Sequence, residues 1–387
     1  MQAKSIIGST PEEIQAALRE SMADGFKPTL AILFISIKQD RKTICEILHS
    51  QDIDIMGATS CGEFINGDQT EGSAVIMLMD LRRDAYTILF EDIGDRELSE
   101  VATKLARDGL KKFTKPGFIL CSTSFSTDGR ILDGPTISGN IEDVVGPQVH
   151  VYGGMAGDDT TFSGSFVFTS ERSTDYGMTA LVLDEDKISL KGMAISGWNG
   201  LGIERTVTKC EDGWILTIDD KPALEMYLKY LGKDSEVGED AYDLAKSVGF
   251  DYPFQFKDAG DPVMRTPMNI DKDKNAIKVD FDVPEGSKFR FSVPPDLDIV
   301  TNIVAGANAL KGDSQSDAEA LLIFSCAGRL NAMGPLIKLE NEGLAETWNA
   351  PMAGFFSYGE YGTTKDRGQE FHSTTCCWVA IKEKQNA

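Results

Sequence analysis

Two octapeptides near opposite ends of the chain carry the same pattern of groups that could do chemistry. Residues 57–64 read GATSCGEF, and residues 354–361 read GFFSYGEY. Each has a glycine, two spacers, a serine, one further residue, then Gly-Glu and an aromatic residue. Hydroxyl and carboxylate groups at a glycine-rich turn can bind a polar ligand. The groups concerned are Ser60 and Glu63 in the first copy, and Ser357 and Glu360 in the second.

A weaker third copy, VYGGMAGDD, occupies residues 151–159 and places Asp158 at a similar turn. Two interpretations of these acidic turns stay open. In one, glycine permits positive φ and the carboxylate accepts hydrogen bonds from neighbouring backbone amides. In the other, the strand ends of an α/β unit converge on a crevice, which is where ligands usually bind.

Arg329 ends the segment LIFSCAGR and could bind a ligand carboxylate through two parallel hydrogen bonds. Alternatively, Glu360 could pair with Arg329 and brace two strand ends. On the crevice interpretation the predicted ligand-binding residues are Ser60, Glu63, Asp158, Arg329, Ser357 and Glu360.

The sequence offers little support for a catalytic site. GATSCG and GFFSYG have one spacer too many before the serine to match the GxSxG nucleophile turn, and no base is evident beside Ser60 or Cys61. No phosphate-binding fingerprint occurs. The three histidines, His49, His150 and His372, lie in no zinc-binding spacing. The sequence therefore predicts a protein that is not an enzyme and has no bound cofactor.

The elements around these motifs repeat in one order: strand, helix, strand, antiparallel strand. TLAILFISI, FILCSTS and LLIFSCAG are apolar runs typical of buried strands, and each precedes one of the glycine turns. TPEEIQAALRESM predicts a helix capped by Thr10. AIKVDFDVPEGSKFRFSV predicts a hairpin. The pattern indicates a mixed α/β fold, with sheets flanked by helices and two domains packed together.

Composition limits the possible partners and location. The net charge of −23 repels nucleic acid and anionic membrane surfaces. No apolar run is long enough to cross a bilayer, and the N-terminus lacks the apolar core of a signal peptide. Seven cysteines with scattered spacing do not predict a disulfide framework. We therefore expect a cytoplasmic protein.

The motifs GATSCGEF, VYGGMAGDD, LIFSCAGR and PMAGFFSYGEYG, followed by FHSTT, resemble the FIST family, named for F-box and intracellular signal transduction. The resemblance implies an N-terminal helix region over 1–26, a FIST N-terminal domain over 27–219 and a FIST C-terminal domain over 220–382. It also implies a sensor of a small ligand, such as an amino acid or related metabolite. The expected partner is a separate histidine kinase, diguanylate cyclase or chemotaxis receptor.

One branch of this family binds haem and senses nitric oxide, so a haem sensor is the alternative. In that case an axial histidine or cysteine would hold the iron. His372 is then the first candidate and His150 the second. A hydrolase or redox enzyme of unfamiliar type is a weaker alternative.

Overall fold

The structure is a computed structural model that describes residues 1–211, 213–233, 248–256, 263–312, 318–364 and 369–384. Within them the chain forms three copies of one unit. Each unit has a leading strand and an outer helix, then two parallel strands joined by a helical crossover. A short hairpin and a final strand antiparallel to the first of the pair complete it.

The first unit begins with a strand and a helix. Thr10 accepts a hydrogen bond from the Glu13 amide, and Pro11 occupies the first helical position, so the predicted cap is confirmed. Its elements are β1 (Ala3–Gly8), α1 (Pro11–Ser21), β2 (Leu30–Ile35), α2 (Arg41–His49), β3 (Asp54–Thr59), β4 (Glu63–Ile65), β5 (Asp68–Thr70) and β6 (Ala74–Met79).

The second unit contains the weaker copy of the motif. Every residue of its first parallel strand is buried, as the apolar run FILCS predicts. Its elements are β7 (Tyr86–Asp92), α3 (Leu98–Lys112), β8 (Pro116–Ser122), α4 (Gly134–Val145), β9 (Val151–Met155), β10 (Val167–Thr169), β11 (Ser173–Thr174) and β12 (Gly177–Asp184).

The third unit is interrupted after its leading strand, β13 (Ile188–Ile195), by an additional sheet that we call the inserted sheet. The inserted part comprises β14 (Asn199–Glu211), β15 (Trp214–Ile218), β16 (Lys221–Pro222), α5 (Ala223–Tyr230), β17 (Phe254–Phe256), β18 (Val263–Arg265), β19 (Pro267–Asp271), β20 (Ala276–Val279) and β21 (Lys288–Val293). The unit then continues with α6 (Asp298–Lys311), β22 (Ala320–Cys326), α7 (Ala327–Met333), α8 (Leu336–Trp348), β23 (Met352–Ser357), β24 (Glu360–Thr363), β25 (Gln369–His372) and β26 (Cys376–Glu383).

The hairpin predicted over 276–293 is wrong. β20 pairs with β15 and β19, whereas β21 pairs with β14 and β17. The long strand β14 contacts both halves of the inserted sheet, and these distant pairings replace the local one.

Each unit places its hairpin on the sheet of another unit. β4 of the first unit pairs with β23 of the third, β24 of the third pairs with β9 of the second, and β10 of the second pairs with β3 of the first. The three units are therefore interlocked in a ring. The parallel pairs are β2–β3, β8–β9 and β22–β23.

A common apolar core lies between the three sheets. Phe34 of β2 packs against Phe355 of β23, with ring centroids 4.6 Å apart, and against Phe324 of β22 at 5.9 Å. Separate clusters bury the helices on the outer faces of the sheets. The mixed α/β fold with repeated units and flanking helices is confirmed. The region 1–26 contains β1 in addition to the expected helix.

Candidate functional site

The three glycine turns meet at one point in the ring. We call the ends of β3, β9 and β23 the first, second and third tips. One or two residues beyond each tip, a backbone amide donates to a carbonyl of the next unit. These bonds are Cys61 to Phe356 (2.9 Å), Gly157 to Thr59 (2.8 Å) and Tyr358 to Met155 (3.1 Å). The repeated motif thus has a repeated structural role, which is to join neighbouring units.

Glu63 is fully buried at the first tip. Its carboxylate accepts hydrogen bonds from the Ser60 hydroxyl and from both the amide (3.1 Å) and the hydroxyl (2.8 Å) of Ser73. Burial raises the pKa of the Glu63 carboxyl to about 7, although these hydrogen bonds act in the opposite direction. The Glu63 carboxylate therefore forms its hydrogen bonds with backbone and hydroxyl groups of its own unit.

This raised pKa predicts a pH-dependent stability. Between the ordinary carboxyl pKa and about 7, native Glu63 binds more protons than the unfolded chain, so the free energy of unfolding falls as the pH rises through that window. We expect Glu63→Gln to remove up to about 3 kcal/mol of this fall, at 1.36 kcal/mol per unit of pKa shift. Urea unfolding at pH 5 and pH 8 measures it, with exposed Glu71→Gln as the control. An unchanged pH slope in Glu63→Gln would contradict it.

Glu360 repeats the arrangement at the third tip. It is fully buried and accepts from the Ser357 hydroxyl at 2.7 Å and from the Thr375 amide at 3.2 Å. Burial raises the pKa of the Glu360 carboxyl well above its usual range. Ser60–Glu63 and Ser357–Glu360 are therefore equivalent pairs.

Asp158 organises the longer loop of the second unit. Its Oδ2 accepts from the amides of Ser163 (2.6 Å) and Gly164 (3.2 Å), and its Oδ1 accepts from the Tyr358 hydroxyl (2.6 Å). Asp158 is fully buried. It links this loop to the third tip.

Arg329 is also fully buried and does not pair with Glu360. Its guanidinium forms an ion pair with Glu340 of α8 and donates to the carbonyls of Ser196 (2.5 Å) and Thr374 (3.1 Å). The predicted Arg329–Glu360 brace is therefore wrong, because α8 supplies a different carboxylate to this arginine.

His372 and His150, the two candidate haem ligands, contact different parts of the protein. His372 is buried, and its Nε2 lies 3.3 Å from the Gly362 carbonyl. His150 is 38% exposed, and its Nδ1 lies 2.8 Å from the Glu185 carboxylate.

A cavity of about 700 Å³ lies between the strand ends and the inserted sheet. On the ring side it is lined by Ser124, Phe125, Ile131, Leu132, Met155, Thr160, Thr161, Phe162, Cys326, Ala327, Gly328, Tyr358 and Ser373. On the other side it is lined by Phe250, Thr266, Met268, Asn269, Lys278, Val279, Asp280 and Phe281. A ligand here would touch two units of the ring and the inserted sheet.

Three aromatic rings form one wall of this cavity. Phe162 stacks on Tyr358 at 5.5 Å between centroids, and Phe125 meets both rings edge-on at 5.5 Å. Asp159, Thr160 and Phe162 have φ between 54° and 59°, a region that non-glycine residues seldom adopt. The loop that presents Phe162 is therefore strained, which is common at ligand-binding sites.

Two charged groups enter from the inserted sheet. Lys278 is exposed, whereas Asp280 accepts from the Thr266 (3.0 Å) and Phe281 (3.1 Å) amides and from the Ser373 hydroxyl. Burial raises the pKa of the Asp280 carboxyl to about 6. The Asp280–Ser373 bond also joins the inserted sheet to the third unit.

None of the six predicted ligand-binding residues lines the cavity, and neither histidine does. Their sequence neighbours do: Tyr358 follows Ser357, Gly328 precedes Arg329, and Thr160 lies two residues after Asp158. The predicted residues therefore neighbour the cavity lining in sequence but do not form it. That these six residues contact a ligand stays a prediction.

The residues that sequence reasoning missed are Tyr358 and the lining of the inserted sheet. Tyr358 occupies the octapeptide position between the serine and Gly-Glu, where the first copy has Cys61. That aromatic substitution was the available signal. No local pattern marks Lys278 or Asp280, because their position depends on how the inserted sheet packs.

The lining is suited to binding. Cys326 is enclosed, and burial raises the pKa of its thiol well above the usual range, so a thiolate nucleophile is disfavoured. Across the described ranges, no group of three or more His, Cys, Asp or Glu is arranged to hold a metal ion. No helix in the described part of the chain has the length and apolar character needed to cross a bilayer.

Comparison with protein families gives two matches that together account for most of the chain. The FIST N domain matches residues 29–221, and the FIST C domain matches residues 223–363. The boundary between them falls inside the inserted part of the third unit. A comparison with curated proteins finds no significant match. The two consecutive domain matches, on a fold with the expected repeated units, show that the chain belongs to the FIST family of signal-transduction sensor domains.

Proposed function

We propose that this protein binds a small organic ligand in the cavity between the ring and the inserted sheet, and that it reports ligand binding to a separate signalling protein. The observation that carries the proposal is the position of the cavity. Its lining joins strand ends of two units to β19 and β20. A ligand that contacts both sides would stabilise one relative arrangement of the two parts.

The lining favours an amino acid or a related metabolite. Phe125, Phe162 and Phe281 offer apolar faces for a side chain. Lys278 could pair with a ligand carboxylate, and Asp280 could accept from an amino group. A mainly apolar pocket with a few polar groups is typical of a small-molecule site.

The downstream partner in this proposal is a histidine kinase, diguanylate cyclase or chemotaxis receptor in the cytoplasm. Support for that class comes from the signalling role of the family. The protein itself acts as a sensor and not as a catalyst.

The haem alternative does not fit this cavity with a histidine ligand. His372 and His150 are both outside its lining, and each is engaged with a protein oxygen atom. We propose no haem site at either residue.

A screen of amino acids and related metabolites by thermal shift tests the ligand proposal, because a ligand selective for the native state raises the melting temperature. For a compound that binds, we expect Lys278→Ala to weaken binding about 10-fold or more, the loss of one charged hydrogen bond. Calorimetric titration measures this. Lys274→Ala, on the adjacent exposed turn, is the matched control and should bind normally.

A blocking variant gives the decisive outcome. Ala327→Trp places a large side chain in the cavity and should abolish binding, and the melting temperature of the free variant shows whether it is folded. Undiminished binding in Ala327→Trp would place the ligand elsewhere. Steady turnover of the bound compound into a product would overturn the sensor proposal.

A further inference from the structure

A second concave site, which shares no lining residue with the cavity, lies between the first unit and the hairpin of the second. It is a groove of about 570 Å³ between residues 36–46, which include the first turns of α2, and residues 166–173, which include the hairpin β10–β11. The hairpin belongs to the second unit, so the groove exists only because the units exchange hairpins.

Arg41 is the central side chain of this groove. Its guanidinium carbon lies 4.3 Å from the ring centroid of Phe166 and 5.3 Å from that of Phe168. Such stacking holds the guanidinium in a fixed plane while its N–H edge stays available for hydrogen bonds.

In the part of the chain that the structure describes, no carboxylate pairs with Arg41, and no hydrogen bond to its guanidinium is formed. The side chain is nevertheless partly buried, and this burial lowers the pKa of Arg41. A cation withdrawn from water without a counter-ion is costly, and an anion that bound there would offset the cost.

The other cations around the groove have protein partners. Lys38 pairs with Asp159 at 3.3 Å and Lys42 approaches Glu46 at 3.9 Å, while Arg172 donates to the Phe90 carbonyl at 3.3 Å. Among these cations of the described residues, Arg41 thus differs in having neither an ion pair nor a hydrogen bond at its charged group.

Two further carboxylates on the groove do not neutralise Arg41. Asp40 accepts from the amide (3.1 Å) and hydroxyl (2.7 Å) of Thr43 and so caps α2. Glu171 lies exposed at the hairpin turn. These negative groups at the rim repel a large polyanion more strongly than a compact anionic group. The compact group is therefore the favoured partner of Arg41.

We propose that this groove is a second ligand site, which binds the carboxylate or phosphate group of a small metabolite through two parallel hydrogen bonds from Arg41. Both groups present a pair of oxygen atoms that matches the fork of a guanidinium. The ligand would lie between α2 and the hairpin β10–β11. This site is independent of the proposed ligand of the cavity.

Thermal shift and calorimetric titration of the full chain with inorganic phosphate and with acetate test the proposal, with chloride at equal ionic strength as the reference. We expect phosphate or acetate to raise the melting temperature above that in chloride. Arg41→Gln should remove this increase. Arg19→Gln, an exposed arginine of α1 outside the groove, should retain it.

Arg41→Lys serves as the second variant and keeps the charge if Arg41→Gln does not fold. It should weaken oxyanion binding about 10-fold, because lysine lacks the planar fork. A phosphate response without an acetate response would assign the site to phosphate groups, and the reverse would assign it to carboxylates. Equal shifts in chloride and both oxyanions, or undiminished binding in Arg41→Gln or Arg41→Lys, would overturn the proposal.

Discussion

Replacing Arg329 with methionine is expected to lower the free energy of unfolding by about 3–5 kcal/mol. Arg329 and Glu340 are both fully buried and form an ion pair between α7 and α8. Removing the arginine leaves a carboxylate without its cation in an apolar region, and it also leaves the Ser196 and Thr374 carbonyls without a donor. Urea unfolding at neutral pH measures the loss.

The double variant Arg329→Met/Glu340→Gln separates the ion pair from other effects. With both charges removed, we expect part of the lost stability to return, with a coupling of roughly 1–3 kcal/mol. Oε1 of Glu340 has no hydrogen-bond partner among the described residues, so the carboxylate depends strongly on Arg329. Arg82→Met, which breaks the exposed pair with Asp84, should leave the free energy of unfolding nearly unchanged, because solvent screens such a pair.

A loss in Arg329→Met no larger than that in Arg82→Met would contradict the structural assignment. Strictly additive effects in the double variant would also contradict it, because they would show that the two charges do not interact. Weakened ligand binding in a stably folded Arg329→Met would instead support the predicted ligand-binding role.

The repeated unit was predictable from sequence because its signals are local. Apolar runs predict the buried strands, and each run is followed by a segment that ends in a glycine turn. The exchange of hairpins between units was not predictable. β4, β10 and β24 each follow their own unit's parallel strand in sequence but pair with a strand of another unit. Such pairing depends on contacts far apart in the chain.

The acidic turns show a different limit. A carboxylate beside glycine suits either a ligand or a neighbouring amide, and sequence does not distinguish these. Glu63 accepts from Ser73, Glu360 from Thr375 and Asp158 from Ser163, in each case from a backbone amide. The octapeptide therefore recurs because the tips it forms occupy equivalent positions in a ring.

The cavity arises at these same strand ends, but only where the inserted sheet covers them. In the first unit, Ser36 and Ile37 directly follow the strand β2. These residues line the Arg41 groove and not the cavity. Repetition of the fold thus produced equivalent strand ends, and the insertion in the third unit covers two of them to form the cavity.

The close approach of β8 and β9 leaves no room for a side chain at Gly153, in the middle of β9. Gly153 pairs with Leu120 in the parallel strands β8 and β9. An added Cβ would lie 1.8 Å from the Leu120 carbonyl oxygen, and the φ of Gly153 is +154°. The Leu120 oxygen is a backbone atom and cannot turn aside as a flexible side chain could. The two strands themselves would therefore have to separate.

We expect Gly153→Ala to lower the free energy of unfolding by more than about 4 kcal/mol, at the extreme of single substitutions, because steric overlap and backbone strain act together. Urea unfolding measures it, or the recovery of folded protein where the variant does not fold. Gly139→Ala is the matched control, because Gly139 lies inside α4 with no atom within 4 Å of an added Cβ. Alanine is a better helix former than glycine, so the control should gain about 1 kcal/mol. Equal stability of the two variants would show that β8 and β9 do not approach as closely as the ring requires.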